Sequence, residues 1–288
     1  MMAERTSVFA RTVSTPIILT GILVLVALSA LAVGSGPFNQ TVIEVFIRVV
    51  LVVGLYVFIG NSGVISFGHI GFACLGAYMT AWLTALPAIK KKYTGLPDFV
   101  LTAKLHYGFG LVAALIFAAA CAYVVARVLM RLSGIAASIA TFAVLALIIQ
   151  IYSNWTSVTG AQMSFVGIPI IRSIWPYFIC AVLTVIVAYA HSISRSGLAL
   201  RSARDEATAA AASGVDITRE RVIAFTLSGA MMGLGGAMFA HSVGVVTPDT
   251  FYLALTFTTL SMLVVGGMNS LSGAVLGVVV LSIIIQVL

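Results

Sequence analysis

Five long stretches of this sequence contain no aspartate, glutamate, lysine or arginine, and they limit the possible folds more than any other feature. They are residues 12–43, 49–89, 132–171, 222–248 and 250–288. A helix that crosses the hydrocarbon core of a bilayer needs about 20 predominantly apolar residues, so several stretches are long enough for two crossings. Only 8% of all residues are charged, whereas an average soluble domain has about a quarter. A soluble fold is excluded because too few charges remain to cover its surface.

The apolar residues surround a helix rather than alternating along a strand. Residues 19–33 and 110–126 are apolar on nearly every face, whereas the strands of a membrane barrel alternate apolar and polar side chains. We therefore predict an all-α, polytopic helical bundle that forms a single domain over residues 1–288, with about nine membrane spans and a range of about eight to ten. The predicted spans are 16–34, 43–60, 64–86, 108–130, 134–152, 175–191, 222–241, 252–268 and 272–288.

The cationic residues indicate the orientation of the chain, because they concentrate in cytoplasmic loops. The first apolar run lacks a small-x-small cleavage site, so we interpret it as a retained span rather than a signal peptide. A cytoplasmic N-terminus leaves nine arginines inside and five cations outside, among them Lys90, Lys91 and Lys92. These lysines contradict the rule, but the 192–221 segment, with five arginines, is the strongest signal. We predict a multi-pass protein of the bacterial inner membrane, with its N-terminus and this segment in the cytoplasm.

Several function classes are disfavoured by the residue pattern. The net charge of +7 comes from arginines beside the spans, where lipid headgroups attract them, and not from a basic stripe that would bind nucleic acid. Cys74, Cys121 and Cys180 lie in apolar segments at unrelated spacings, which is typical of packing residues. The four histidines lack acidic companions, so we expect neither a metal site nor an enzyme. No phosphate-binding loop occurs, so we expect no cofactor in this chain and ATP only in partner subunits.

The acidic residues argue against transport driven by an ion gradient. Proton-coupled carriers usually place an aspartate or glutamate within a span. Here only Glu44 falls inside a predicted span, and it lies at the edge. We therefore prefer a transporter whose energy comes from outside this chain, and we keep an ion-coupled secondary transporter as the alternative.

The segment 194–221 is too polar to span a bilayer and predicts a short cytoplasmic helix. Strong helix formers run from Leu198 to Ser213, with Ser196 as the N-cap and Gly214 as the stop. The alanine face of such a helix could dock into a groove of another protein. The residues alone favour a solvated amphipathic segment that rests on lipid headgroups.

Motifs spread along the chain resemble one family of membrane permeases. Thr208-Ala209-Ala210-x-x-x-Gly214 is similar to the segment by which ABC importer permeases engage their ATPases. The wider pattern, over roughly 48–288, resembles the LivM-type branched-chain amino acid permeases. The matching pieces are Ser66-Phe-Gly-His69, Gly76-Ala-Tyr78, Gly197 through Glu206, Ala224-Phe225-x-x-Ser228, Gly235-Gly-Ala237, Ser242 through Asp249, and Val265 through Gly273.

The resemblance implies the permease subunit of an ABC importer for branched-chain or related small neutral amino acids. Urea or a short amide is the alternative substrate within the same family. The implied partners are a second, LivH-like permease subunit, two cytoplasmic ATPases and an external solute-binding protein, within the lipid bilayer. The implied ATPase-coupling residues are Arg201, Arg204, Asp205, Glu206, Ala209, Ala210 and Gly214.

Two features depart from the family pattern. Thr208 stands where the general ABC pattern has a glutamate, and Glu206 is the nearby acidic residue that could replace it. The chain stops at Leu288 within an apolar run, whereas family members usually continue into a polar tail. We therefore expect either an incomplete last span or a truncated chain.

Polar residues inside the apolar segments are the candidates for a translocation pathway. Irregular backbone at membrane depth is tolerated only where it is buried in protein or lines a cavity. The glycine-rich region 60–78 is such a case, although a histidine bonded to a neighbouring helix would also explain His69. The full set of pathway candidates is Asn61, Ser66, His69, Thr141, Gln150, Thr226, Thr256 and Asn269.

Glycine patterns predict an internal repeat and close helix packing. Gly63-Val-Ile-Ser66-x-Gly68 resembles Gly267-Met-Asn-Ser270-x-x-Gly273, and both follow one apolar span and open another. Transporters often carry such repeats, with interrupted helices near the substrate path. Gly229-x-x-x-Gly233 and Gly273-x-x-x-Gly277 predict helices whose backbones approach closely.

Overall fold

The computed structural model describes the backbone of residues 2–93 and 95–287, and the side chains of residues 15–93 and 95–286. The helices are α1 (Met2–Val33), α2 (Gly36–Ser62), α3 (His69–Thr84), α4 (Pro87–Lys90), α5 (Asp98–Thr102), α6 (Tyr107–Leu129), α7 (Gly134–Asn154), α8 (Thr156–Thr159), α9 (Trp175–Ile193), α10 (Arg195–Asp205), α11 (Ala207–Ala212), α12 (Ile217–Val243), α13 (Leu253–Gly266) and α14 (Leu271–Val287). Strands β1 (Phe165–Val166) and β2 (Val245–Val246) pair antiparallel, and Pro248–Phe251 forms a 3₁₀ turn.

The predicted all-α, polytopic class is confirmed apart from the short strand pair. Seven stretches of the described residues are long and apolar enough to cross a membrane. They are Thr15–Val33, Gly36–Ser62, Tyr107–Leu129, Gly134–Asn154, Trp175–Ile193, Ile217–Val243 and Pro248–Gly266. The other two predicted spans, 64–86 and 272–288, correspond to the shorter helices α3 and α14, of 16 and 17 residues.

The helix of the third predicted span, 64–86, begins only at His69, because a non-helical segment precedes α3. Gly63 ends α2 in the left-handed conformation, with φ of +70°, which glycine adopts at little cost. Residues 64–68 are then not helical, and α3 begins at His69. In this region Val64, Ser66 and Gly68 are buried, whereas Gly63 and Ile65 are exposed, so one side of the irregular segment packs against the protein.

The core is built from α2, α3 and α12, with α6 packed against the same group. A Cβ atom added at Gly76 of α3 would collide with the carbonyl oxygen of Gly233 in α12. Gly229 and Gly233 also lie against Ala122 and Ala118 of α6. The predicted close packing at this glycine pair is therefore confirmed, and it occurs within the chain. Such contacts matter in lipid because van der Waals packing, rather than hydrophobic burial, drives the association of helices.

The described helices alternate in direction between two ends of the bundle. One end, which we call the α10 end, carries α10 and α11 beside the C-termini of α2, α6, α9 and α13. The opposite end, which we call the far end, carries α4, α5, α8 and the strand pair. Residues 34–35 connect α1 to α2, so α1 runs antiparallel to α2 and its N-terminus lies at the α10 end.

Lys90, at the far end, is a structural residue rather than an exposed charge. Its side chain is completely buried, and its ammonium donates hydrogen bonds to the carbonyl oxygens of Trp82, Val100 and Ala103. Burial lowers the pKa of Lys90, while the three acceptors favour its charged form. Lys90 therefore ties the α3–α5 connection together, which weakens its value as a signal of membrane orientation.

Candidate functional site

The polar segment after α9 folds as two helices, α10 and α11, instead of the single helix predicted. Ser194, not Ser196, caps α10, because its Oγ accepts a hydrogen bond from the Gly197 N–H at 3.2 Å. The helix breaks at Glu206, whose backbone is extended, with φ of −151° and ψ of 98°. The Glu206 carboxylate then caps α11 by accepting from the Thr208 N–H at 3.3 Å. The predicted N-cap at Ser196 is therefore wrong by two residues.

The end of α11 has the geometry that the sequence predicts for Gly214. Its φ is +85°, and the N–H groups of Val215 and Gly214 donate to the carbonyls of Ala210 and Ala211 at 3.1 and 3.0 Å. This pair of hydrogen bonds is the Schellman arrangement that commonly ends helices. A Cβ atom at Gly214 would meet nothing within 4 Å, so the backbone conformation alone selects glycine here.

Most of α11 presents small side chains away from the rest of the chain. Ala210 is buried, with 5% of its surface exposed, and anchors the helix against the bundle. The other positions are exposed and form what we call the α11 outer face: Ala207, Thr208, Ala209, Ala211 and Ala212. The adjoining acidic residues Asp205 and Glu206 are exposed as well. The side chains of the α11 outer face are small enough for the groove of another protein to approach the helix closely.

Of the three arginines of α10, Arg201 and Arg204 point toward the bundle, whereas Arg195 is exposed. The guanidinium of Arg201 donates to the carbonyl of Ser192 at 2.6 Å. Arg204 donates to the Gly60 carbonyl at 2.7 Å and to the Asn269 side chain at 3.4 Å. It also pairs with the neighbouring Asp205 at 3.0 Å. A direct contact between Arg204 and an ATPase stays a prediction, while its observed hydrogen bonds all lie within the chain.

Arg204 stands where the two glycine-rich segments of the predicted repeat meet. Its side-chain stem lies against Gly63, at 2.6 Å from the position that a Cβ atom would take. Its guanidinium reaches the last turn of α2 on one side and the α13–α14 connection at Asn269 on the other. A movement of α10 would therefore act on both the α2–α3 connection and the α13–α14 connection.

Ser66 and His69 form a buried pair at the start of α3. The Ser66 Oγ and the His69 Nδ1 are 2.7 Å apart, and neither residue is appreciably exposed. The imidazole lies among aromatic rings, with centroid distances of 5.2 Å to Phe58 and 4.5 Å to Phe225. Its Nε2 has no hydrogen-bond partner among the described residues. The pair fixes the irregular segment onto α3, and its role in a pathway stays a prediction.

The remaining pathway candidates lie in separate surroundings. Thr141 joins the Ser66–His69 region, because its Oγ1 accepts from the Phe67 N–H at 3.3 Å. Asn61 and Thr256 donate to carbonyls of their own helices at 2.9 Å. Thr226 has a buried hydroxyl without a partner among the described residues. The structure thus gathers Ser66, His69 and Thr141, places Asn269 beside Arg204, and leaves Gln150 near the far end.

Gln150 lines an open polar cavity of about 620 Å³ between α7 and the 3₁₀ turn. Asn154, Gln162, Asp249 and Tyr252 share this cavity. Among the described residues, the side chains of Gln150, Gln162 and Asp249 make no hydrogen bond or ion pair with the rest of the chain. The sequence prediction omitted Asn154, Gln162 and Asp249, although an aspartate between two predicted spans could have drawn attention to this region.

The polar cavity continues an exposed face that α7 and α13 share. An apolar cavity of about 380 Å³ lies on that face, lined by Phe67, Ile135, Ser138, Ile139, Phe142 and Phe257. We call this surface the α7–α13 face. It extends from the irregular segment near the α10 end to the polar cavity near the far end.

Among the described residues, the structure is thus a mainly helical bundle with seven helical stretches apolar enough to cross a membrane and a polar helix pair at one end. Among the described residues, no group of His, Cys, Asp and Glu side chains could hold a metal ion. A model of the family described as "Branched-chain amino acid transport system / permease component" matches residues 38–288, and the chain belongs to this family. No solved structure matches the chain.

Three characterised proteins are similar to this chain. The high-affinity branched-chain amino acid transport system permease protein LivM of Escherichia coli is 25% identical and covers 94% of the chain. LivM of Salmonella typhimurium is 26% identical over 82% of the chain. The autoinducer 2 import system permease protein LsrC of Yersinia pseudotuberculosis is 28% identical over 68% of the chain. The matched region spans 68%, 60% and 60% of the length of these relatives, respectively.

Proposed function

We propose that this chain is the membrane-spanning permease subunit of an ABC importer for branched-chain amino acids or related small neutral amino acids. The observation that carries the proposal is the helix pair α10–α11, in which α11 exposes small side chains and Arg204 of α10 contacts the last turn of α2 and the α13–α14 connection. The names of the two LivM relatives support the substrate class. The third relative is named as an import permease for a different solute, autoinducer 2.

The contacts of the helix pair suggest separate roles, docking for α11 and transmission of movement for α10. The α11 outer face would dock into a groove of a cytoplasmic ATPase, with Ala209 at the contact and Asp205 and Glu206 at its edge. Arg201 and Arg204 would carry the resulting movement into the bundle, because their hydrogen bonds join α10 to α9 and α2. Gly214 would set the direction in which the chain returns to α12.

The proposed topology has nine crossings and a cytoplasmic N-terminus. α3 is about 24 Å long at 1.5 Å per residue, and the irregular segment 63–68 supplies the length that is still needed to cross a core of about 30 Å. The proposed cytoplasmic side is the α10 end, where Arg127, Arg131, Arg195, Arg201, Arg204, Arg219 and Arg221 lie. Lys90 is buried and bonded to three carbonyl oxygens, so its position is explained by the fold and it no longer counts against this orientation.

The α7–α13 face is the proposed location of the pathway and of the second permease subunit. In its polar cavity, near the proposed external end, lie the side chains of Gln150, Gln162 and Asp249. Among the described residues these side chains make no hydrogen bond or ion pair, so they could bind a solute. A zwitterionic amino acid could place its ammonium group on Asp249 and its carboxylate on the amides. Urea and short amides carry no positive charge, so they would gain less from the Asp249 carboxylate.

An ion-coupled carrier is the less favoured function. Glu44, the acidic residue inside the second predicted span, pairs with Arg48 at 3.5 Å, and Arg48 also donates to Ser282. A carboxylate held in this way is poorly suited to binding and releasing a proton during transport. The energy would instead come from the partner ATPases.

Reconstitution of the complete importer in lipid vesicles tests the proposed function. The assay would contain this chain, the second permease subunit, both ATPases and the solute-binding protein. Leucine uptake should require ATP on the side of the membrane that carries the ATPases. Leucine-loaded binding protein on the opposite side should stimulate ATP hydrolysis. Uptake by the purified chain alone, driven by a proton or sodium gradient, would refute the proposal.

A further inference from the structure

A cationic cavity of about 540 Å³ opens between the C-terminus of α6 and the N-terminus of α12 at the α10 end. Its lining includes Arg127, Arg131 and Arg219, with Tyr123 on the wall. The only acidic residue in the lining is Asp216, whose carboxylate is occupied in capping α12 through the Arg219 N–H at 3.0 Å. Three arginines against one carboxylate leave the lining of the cavity with an excess of positive charge.

None of these three guanidinium groups has a carboxylate within ion-pairing distance among the described side chains. Arg127 donates to the Tyr123 hydroxyl at 2.9 Å and lies over the same ring. Arg131 and Arg219 make no side-chain hydrogen bond or ion pair within the described residues. Guanidinium groups that line one cavity repel one another, and a bound anion would relieve this repulsion. A guanidinium binds phosphate oxygens in a bidentate manner. The cavity therefore has the chemistry of a phosphate site.

An exposed apolar stripe runs along the outer surface of α6, from the level of this cavity toward the middle of that helix. Ile116, Val124 and Val128 lie on one face of α6 at multiples of four residues, with 60%, 66% and 69% of their surfaces exposed. Ile223 of α12 lines the cavity itself and is 40% exposed. Free inorganic phosphate would leave this stripe unused, whereas a phospholipid would cover it with acyl chains.

We propose that the cavity binds an anionic phospholipid, with the phosphate on Arg131, Arg219 and Arg127 and the acyl chains along the apolar stripe. The depth of the cavity in the membrane fits a phospholipid. α6 ends and α12 begins beside the cavity, and the layer of lipid headgroups lies at the ends of membrane spans. The site belongs to the leaflet on the α10 side. This inference depends on membrane insertion and not on the transported substrate.

Binding of defined lipids to the purified chain tests the site. Native mass spectrometry would count the lipids retained from mixed micelles with equal amounts of dioleoylphosphatidylglycerol and dioleoylphosphatidylcholine. The chain should retain the anionic lipid in preference, and the Arg131→Gln and Arg219→Gln variants should each bind it several-fold more weakly. The double variant should lose ~10-fold or more. Both side chains are exposed and make no bonds within the described residues, so folding should be unaffected.

Arg195→Gln is the matched control, because Arg195 is an exposed arginine at the same end but outside the cavity. It should bind the anionic lipid as the unaltered chain does. Millimolar inorganic phosphate should fail to displace the lipid. Equal retention of both lipids, equal losses in the control, or displacement by inorganic phosphate would overturn the proposal. It would also be overturned if the double variant kept its lipid and instead lost the ATPase subunits from the complete importer.

Discussion

Replacing Arg204 with glutamine should uncouple ATP hydrolysis from transport. The change removes the hydrogen bond from α10 to the Gly60 carbonyl and weakens the contact with Asn269. α10 itself should stay folded, because its N-cap at Ser194 and the Arg201 hydrogen bond to Ser192 are untouched. The effect should therefore fall on the connection between the coupling helices and the bundle, not on the helices themselves.

The magnitude follows from the geometry of the three contacts. A hydrogen bond from a charged donor contributes about 1.5–3 kcal/mol, and the 2.7 Å bond to Gly60 is well formed. The 3.4 Å contact with Asn269 is longer and adds little. The Asp205 pair is an exposed contact between neighbours, worth about 0–1 kcal/mol, and does not link helices. The connection therefore weakens by about 2 kcal/mol, roughly a 30-fold change in its equilibrium.

The assay is the ratio of leucine imported to ATP hydrolysed in vesicles that contain the complete importer. The Arg204→Gln complex should assemble and hydrolyse ATP, but it should import several-fold less leucine per ATP. Arg195→Gln, on the exposed start of α10, should keep the normal ratio. A normal ratio in Arg204→Gln would refute the idea that Arg204 transmits movement to α2 and the α13–α14 connection. Loss of complex assembly would instead mean that Arg204 serves the interface with the ATPase.

Three further predictions concern docking, substrate recognition and orientation. Gly214→Val should destabilise the turn that ends α11 by about 1 kcal/mol or more, because a β-branched residue resists the left-handed conformation. Both leucine uptake and the stimulation of ATP hydrolysis should then fall, and normal values of both would mean that α11 is only a solvated connection. Asp249→Asn should raise the leucine concentration needed for half-maximal uptake by about tenfold, and an unchanged value would exclude Asp249 from recognition. A cysteine at the exposed Ala211 should resist impermeant thiol reagents in intact cells but react in inverted vesicles, and rapid labelling of intact cells would reverse the proposed orientation.

Much of the architecture could be predicted because the constraints that fix it are local. Each apolar run must form hydrogen bonds within its own helix in lipid, so the runs themselves reveal the helices. The left-handed turn at Gly214 also follows from nearby residues. Where competing local signals were close together, as with Ser194 and Ser196 at the start of α10, the sequence predicted the wrong cap.

The sequence by itself determined the membrane class, the helix-forming runs and the presence of a polar helical segment after α9. Only the tertiary structure decided that Arg204 points inward, because its partner Gly60 lies 144 positions earlier in the chain. The cavity that Gln150 and Asp249 both line also depends on segments far apart in the chain. The burial of Lys90 depends on carbonyls 8 to 13 positions away, which the turns around α4 and α5 bring together. Hydropathy and capping act over a few residues, whereas the direction of a charged side chain depends on acceptors that distant segments bring to it.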